Sequence, residues 1–463
     1  MPHKLPVDFL VRLQGQEYVD SCLLTRALQE PETPSIRVNL AKWDKVPLNA
    51  AAVPWCPSAY FLTHRPDYTP DPLYHAGCYY PQESSSMFLE EIFKQLLKDA
   101  VNLRVLDLCG APGGKSTHLS SLIGKNGYLV SNEVIINRAS VLAENMSKWG
   151  LSNTMVTRSD PAAFCNLPGF FDMILVDAPC SGEGMFREQS VIDEWSPANA
   201  TLCSDRQKRI LRDVWPALRE GGFLVYSTCT FNPEENEKNI RWLTDNSCSE
   251  PVRIDISNFQ GITEIYHEGI YGYGFYPGSV KGEGFFISAL RKTNGNIKKQ
   301  SRVKTSLNAR VTNEERRIAR EWTGFNEDSL IKNGNVLISI PCSHDEYNVL
   351  SGCLKIVRPG TDICIAKGNN YLPAHDIAMS VYFNQDSFAS VDLDHMGGFA
   401  YLHRDPIPVH NSVKGWNVVK YNGIPLGFIN NLGNRINNYY PVGRRIRMEN
   451  SRLLSANILK WEQ

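Results

Sequence analysis

The stretch LRVLDLCGAPGGKSTHLSSLIG (residues 103–124) decides the architecture. Its first seven residues form a short apolar run, the pattern of a strand buried on both faces, and GKSTHLSSLIG reads as a helix. The glycine-rich turn between them puts backbone at a helix N-terminus, where ligands bind. Working outward, GYLVSNE (127–133) reads as a strand, INRASVLAENMSKWG (136–150) as a helix and NTMVTRSD (153–160) as a strand. FDMILVDAP (171–179) is a further strand, SDRQKRILRDVWPALREGG (204–222) a long helix and FLVYSTCT (223–230) another strand. Repeated βαβ units predict an α/β fold, a doubly wound parallel sheet covered on both faces. YGYGFYPGS (271–279) and KGEGFFISALRK (281–292) predict an extended pair that ends the sheet.

Around this core the chain divides into an N-terminal segment (1–98), the α/β domain (99–291), a basic linker (292–308), an intermediate domain (309–410) and a terminal module (411–463). The first segment mixes a helical pattern over 7–28 with proline-rich connection and an amphipathic helix at FLEEIFKQLLKD (88–99). The last module alternates apolar residues between Gly and Asn turns and reads as β-rich. With 42% hydrophobic and 21% charged residues over 463 positions, the composition excludes a rod or a disordered chain. No apolar run is long enough to span a bilayer and the N-terminus lacks a signal-peptide core, so a cytoplasmic protein is expected. Its 12 cysteines include no CxxC pair, so reduced thiols and no metal are expected. The net charge of -1 hides an asymmetry: residues 1–290 hold 25 Lys+Arg against 34 Asp+Glu, and residues 291–463 hold 23 against 15. The basic C-terminal part is suited to an anionic partner, nucleic acid first.

The loop DLCGAPGGKS nearly matches a phosphate-binding GxxxxGK[ST], but Cys109 stands where the first glycine belongs. Pro112 also removes a backbone donor that phosphate binding would use. Glu133, Asp160 and Asp177 end successive strands at the same edge, where carboxylates can take ribose hydroxyls and an adenine amine. That set suits a cationic ligand with a free ribose, and S-adenosylmethionine fits it better than a polyphosphate does. Cys180 and Cys229 then end two neighbouring strands over the same crevice. Methyl transfer to carbon 5 of a pyrimidine needs a thiolate to add at carbon 6, because C5 is otherwise a poor nucleophile. Asp177 is placed to hydrogen-bond N3, a role that asks for a carboxyl protonated through burial.

DLCGAPGGKS, NEV with Arg138, SDP, DAPCSGEGMFR and YSTCTFNPEENE together resemble the RNA cytosine-5 methyltransferases of the Sun family, and within it the RsmF type of bacterial ribosomal RNA methyltransferase. The resemblance runs from about residue 5 to the end and is weakest across 291–410. It implies a Rossmann-like class I methyltransferase sheet with an N-terminal α+β segment and a PUA-like RNA-binding module at the C-terminus. DNA cytosine methyltransferases use the cysteine of a Pro-Cys pair, here Cys180. The Sun family implies Cys229 of the Thr-Cys motif as nucleophile, with Cys180 assisting product release. It also implies S-adenosylmethionine contacts from Cys109, Gly110, Ala111, Pro112, Gly113, Gly114 and Lys115, then Glu133, Arg138, Asp160 and Asp177. Many relatives have another small pair at Cys109-Gly110. The expected partner is RNA, 16S ribosomal RNA or the small ribosomal particle, met by a monomer with no membrane contact. Lys414, Arg435, Arg444, Arg445 and Arg447 are the expected RNA contacts. Transfer RNA or 23S RNA as substrate, and a phosphate-loop enzyme using Lys115 and Ser116, are the rival readings.

Overall fold

The computed structural model describes residues 4–125, 127–294, 310–407, 412–448 and 456–462. Most of the basic stretch read as a linker therefore lies outside the described residues. The N-terminal helical pattern is two helices, α1 (Val7–Gln14) and α2 (Ser21–Ala27), because Gly15 ends the first and the Asp20 carboxylate caps the second through Leu23 N at 2.9 Å. A four-stranded antiparallel sheet follows, built from β1 (Ser35–Val38), β2 (Ala51–Val53), β3 (Cys56–Phe61) and β4 (Tyr79–Pro81) in the order β2-β3-β1-β4. Helix α3 (Pro72–His75) precedes β4, and α4 (Leu89–Leu97) leads into the central domain.

That domain runs β5 (Leu103–Asp107), α5 (Gly114–Ile123), β6 (Gly127–Asn132), α6 (Ile136–Trp149), β7 (Thr154–Thr157) and β8 (Phe171–Asp177). It continues with α7 (Gln189–Glu194), α8 (Pro197–Val214), β9 (Leu218–Thr228), α9 (Glu237–Asp245), β10 (Ser249–Val252), β11 (Ile262–His267), β12 (Ile270–Phe275) and β13 (Phe285–Lys292). Strands β7-β6-β5-β8-β9 are parallel, and β13 and β12 close that side antiparallel, as the extended pair predicted. The chain reverses its direction of growth between β5 and β8, which opens a crevice at the strand C-termini. Side chains alternate faces along the middle strands. Val105, Leu129, Leu175 and Val225 enter one core, and Leu106, Val130, Ile174 and Leu224 enter the other. Helix α8 begins earlier than the pattern predicts, at Pro197 behind the Ser196 cap, and stops at Val214 because Trp215-Pro216 follows. LREGG, read as the helix end, is the start of β9.

Beyond the linker come α10 (Asn313–Trp322), β14 (Leu330–Asn333), β15 (Val336–Ser339), α11 (His344–Cys353), β16 (Ile356–Arg358), β17 (Thr361–Lys367), β18 (Asn370–Pro373) and α12 (His375–Met379). Four of these strands form a sheet of their own, but β16 pairs antiparallel with β7 and extends the central sheet to ten strands. Ile331, Ile338 and Leu350 pack in the same core as Val130 and Ile174, so this region covers part of one sheet face. The last sheet is β19 (Ala389–Leu393), β20 (Gly415–Tyr421), β21 (Ile424–Asn431) and β22 (Ile436–Asn438), with α13 (His395–His403) packed on it. Its core residues Val391, Leu402, Val419 and Ile429 join Ile36, Val38, Leu73 and Tyr79 of the N-terminal segment. Trp461 packs edge-on against Trp43 at 5.6 Å, and Leu48 N donates to Lys460 O at 2.8 Å. The two ends of the chain thus build one unit. Among the described residues no helix is long and apolar enough to cross a membrane.

Candidate active site

The loop between β5 and α5 is fixed from below. Gly110 N donates to Asn132 O at 2.7 Å, and a Cβ at Gly110 would come within 2.6 Å of both Ser116 Oγ and Ser131 Oγ. Gly113 has φ +121°, a conformation side chains rarely adopt. Arg138 Nη2 donates to Ala111 O at 2.9 Å and Asn145 donates to Pro112 O at 2.7 Å, so α6 holds the loop from the other side. Ser116 is fully buried and donates to Asp107 Oδ2 at 2.6 Å, which removes the hydroxyl a phosphate loop would turn toward a metal. Lys115 likewise points to Asp177 Oδ2 at 2.9 Å and lies 5.1 Å from the Phe285 ring. Burial acts against its charge, but Asp177 more than offsets this and holds the ammonium above the ordinary lysine range. Neither residue is left for a triphosphate.

A cavity of about 620 Å³ opens over the loop, within the range of small-molecule sites. Cys109, Ala111, Glu133, Arg138, Asp160 and Asp177 line it, with Cys180 and Cys229 at one end. Glu133 is nearly buried, accepts from Ile135 N at 3.0 Å and pairs with Arg138 at 3.2 Å. Asp160 also caps the short turn 161–166 through Ala162 N at 3.0 Å and lies 3.8 Å from Arg209. Gly110, Pro112, Gly113, Gly114 and Lys115 do not reach this lining. Gly110, Gly113 and Gly114 shape the turn, and Pro112 and Lys115 face a second cavity of about 1070 Å³. Asp177, Ala178, Met185 and Cys229 line both cavities, which adjoin along these residues.

The two thiols meet where the cavities adjoin. Cys180 Sγ and Cys229 Sγ are 3.0 Å apart, and Cys229 N donates to Cys180 Sγ at 3.3 Å. That contact with Cys229, together with burial, pushes the Cys180 thiol well above its ordinary value. A thiol held protonated is the wrong form for nucleophilic attack. Asp177 accepts from Ser227 Oγ at 2.7 Å in addition to Lys115, and is one half of an ion pair.

Several supporting residues lie in the quoted motifs but were given no role from the sequence. Glu235 is fully buried; its Oε2 accepts from Ser181 N and from Gln207 Nε2, each at 2.9 Å, and the Ser181 hydroxyl donates to its other oxygen. It therefore anchors the turn that begins at Cys180. Glu183, also buried, pairs with Arg12 of α1 at 2.6 Å and brings the N-terminal helix onto the same turn. Asp107 lies beneath the loop with Oδ1 buried and unpartnered. Burial raises its carboxyl to about 7, the Ser116 hydroxyl opposes and Asp177 adds to the rise. Because this folded value exceeds the unfolded one of 3.8, folded protein retains the proton between those limits and loses stability as pH rises through them. The loss is about 4 kcal/mol in all. Urea denaturation at pH 5 and pH 8 should show Asp107→Asn missing that part of the decline; identical declines in the two proteins would refute it.

The C-terminal arginines do not all face outward. Arg444 Nη1 donates to Ser147 Oγ at 3.1 Å and its Nη2 lies 3.7 Å from Asp376, which Arg358 also contacts at 3.1 Å. Expected as an RNA contact, it instead ties the terminal module to α6. Lys414, Arg435, Arg445 and Arg447 are exposed.

Residues 94–291 match the family described as 16S rRNA methyltransferase RsmB/F. Residues 5–84 match the N-terminal domain of 16S rRNA methyltransferase RsmF, and residues 389–446 the methyltransferase RsmF PUA domain. Ribosomal RNA small subunit methyltransferase F of Aliivibrio fischeri is 30% identical over 477 residues, covering 94% of this chain and 97% of that protein. The protein of the same name from Enterobacter sp. is 29% identical over 452 residues, 90% of each chain. Among solved structures, a methyltransferase homolog protein from Pyrococcus horikoshii superposes with a TM-score of 0.51 at 28% identity, over 62% of this chain and 93% of that one. The matches span the N-terminal sheet, the crevice with its two thiols and the C-terminal module, and the chain belongs to the ribosomal RNA small subunit methyltransferase F family of S-adenosylmethionine-dependent RNA methyltransferases.

Proposed function

We propose that this protein methylates carbon 5 of a cytosine in 16S ribosomal RNA, with Cys229 as nucleophile. The observation that carries the reading is that Cys229 lines both of two adjoining cavities. The cofactor belongs in the smaller cavity, where Glu133 and Asp160 suit its ribose and adenine, and when bound it supplies an electrophilic methyl group. The larger cavity receives the cytosine, which must leave its stack to reach a thiol at this depth.

In this reading Cys229 Sγ adds to C6, which turns C5 into an enamine-like carbon facing the smaller cavity. The Asp177–Lys115 pair sits beside N3 and stabilises the charge that develops on the ring. Once C5 carries the new methyl, its proton passes to a base, the C5–H electron pair re-forms the C5–C6 double bond, and the Cys229–C6 bond breaks with its electrons returning to sulfur. Cys180, in contact with that sulfur, serves this release. An enzyme acting on ribosomal RNA works in the cytoplasm. Bisulfite sequencing of total RNA from a strain lacking the gene should show one cytosine of 16S RNA unmethylated; loss confined to transfer RNA or 23S RNA would redirect the assignment.

Lys414, Arg435, Arg445 and Arg447 are proposed to contact phosphates, and Arg444 to hold the module in place. Arg445→Ala with Arg447→Ala should lower the salt dependence of RNA binding by about one to two counterions in slope. Arg444→Ala should instead lower stability with that slope unchanged, as read by filter binding at several salt concentrations and by thermal melting.

A further inference from the structure

Away from the crevice, three donor atoms from distant parts of the chain meet inside the protein. Cys56 opens β3, Glu90 lies in the first turn of α4, and His118 lies in the second turn of α5. Their residues are 0%, 7% and 1% exposed. Cys56 Sγ and His118 Nε2 lie 3.0 and 2.9 Å from the same Glu90 oxygen, Oε2, and 3.7 Å from each other. The methylation chemistry uses none of them, and the spacing of 56, 90 and 118 matches no ligand motif.

The size of this triangle decides what it can hold. From those three edges, a point in its plane lies about 1.9 Å from every corner, and a point about 1 Å above the plane lies about 2.1 Å from each, the bond length of zinc to N and O ligands and about 0.2 Å short of zinc to sulfur. A tetrahedral dication holds its donors about 3.4 Å apart, so Cys56 Sγ and His118 Nε2 would each draw back from Glu90 Oε2 by about half an ångström. Lys94 takes the other Glu90 oxygen at 3.0 Å, leaving Oε2 aimed at the triangle. His118 Nδ1 is buried without a partner, so the ring is not committed to a hydrogen bond on its far side. Glu90 and His118 also line a separate cavity of about 590 Å³, which provides an entry path.

We propose that Cys56, Glu90 and His118 bind one divalent cation of the zinc class, with a water from the adjoining cavity as fourth ligand. One sulfur, one imidazole and one carboxylate form the mixed tetrahedral set of such ions, whereas calcium and magnesium require six or more oxygens. On binding, the Cys56 S–H proton leaves to solvent as the sulfur–metal bond forms, and the imidazole proton moves to Nδ1. Arg37, beside the cavity and bonded to Gln82 and Thr117, and Lys94 oppose the added charge. Affinity is therefore lower than in closed structural zinc sites. The ion would join the N-terminal sheet to α5, the helix that carries the cofactor loop.

The probe is cobalt(II), titrated into chelator-treated full-length protein, with metal content measured by plasma mass spectrometry after dialysis. Because Cys180 and Cys229 offer a second thiol pair, the Cys180→Ala, Cys229→Ala double variant is the reference. It should bind one cobalt and show a thiolate-to-cobalt charge-transfer band, which Cys56→Ser removes. Absence of the band in the double variant, or its persistence in Cys56→Ser, overturns the site. Should Cys56→Ser fail to fold, Glu90→Gln must weaken cobalt binding at least tenfold, and unchanged affinity overturns it equally.

Discussion

Cys229→Ala is expected to abolish methyl transfer, by at least about 10⁴-fold, and to form no covalent complex with RNA. Cys180→Ala is expected to behave in the opposite way and accumulate a protein–RNA adduct that survives denaturing electrophoresis. The asymmetry follows from the geometry where the two cavities adjoin. Of the two thiols only Cys229 lines both cavities. Cys180 lines the smaller one alone and is not presented to a base held in the larger, yet its sulfur lies 3.0 Å from the one that must leave. Incubating each variant with unmethylated 16S RNA and radiolabelled cofactor checks both halves. An adduct from Cys229→Ala and none from Cys180→Ala would exchange the two roles.

The second large effect is expected away from the reacting atoms. Glu235→Ala leaves Ser181 N without an acceptor, and removes one of two partners from the Ser181 hydroxyl, which keeps Thr230 Oγ1 at 2.9 Å, and from the Gln207 amide, which keeps Pro179 O at 3.1 Å. These losses cost about 2–4 kcal/mol of stability. The turn beginning at Cys180 also loses its anchor, and misplacement of a reacting group by about 1 Å costs on the order of 10²-fold in rate. Single-turnover methylation at saturating RNA and urea denaturation of the same samples test this together. Glu235→Gln keeps an acceptor for Ser181 and should recover part of both losses. A Glu235→Ala enzyme with unaltered single-turnover rate would show that the turn holds itself.

The central sheet could be read from the sequence because it is buried on both faces, and short apolar runs between helices have few other interpretations. The strand-end acids and both cysteines were legible for a related reason, since a strand C-terminus fixes which edge of the sheet a residue occupies. Four features were not. Strand β16 is only Ile356–Arg358, too short for any periodicity, and it joins the central sheet by pairing with β7 from far along the chain. Arg444 looks like its exposed neighbours Arg445 and Arg447, and the positions of Ser147 and Asp376 show that it turns inward. Lys115 and Asp177 are separated by 62 positions, so their pairing belongs to tertiary structure alone. The Cys56, Glu90 and His118 cluster was invisible for the same reason.

The union of the two chain ends sets the timing of synthesis. Ile36 and Tyr79 emerge early but cannot finish their core until Val391 to Ile429 have been made. At about 5–20 residues per second, the N-terminal sheet waits on the order of twenty seconds to a minute with one apolar face uncovered. Such a face is a binding site for chaperones and a starting point for aggregation. A chain that stops early, by truncation or a nonsense codon, never covers it, even when residues 94–291 have been made.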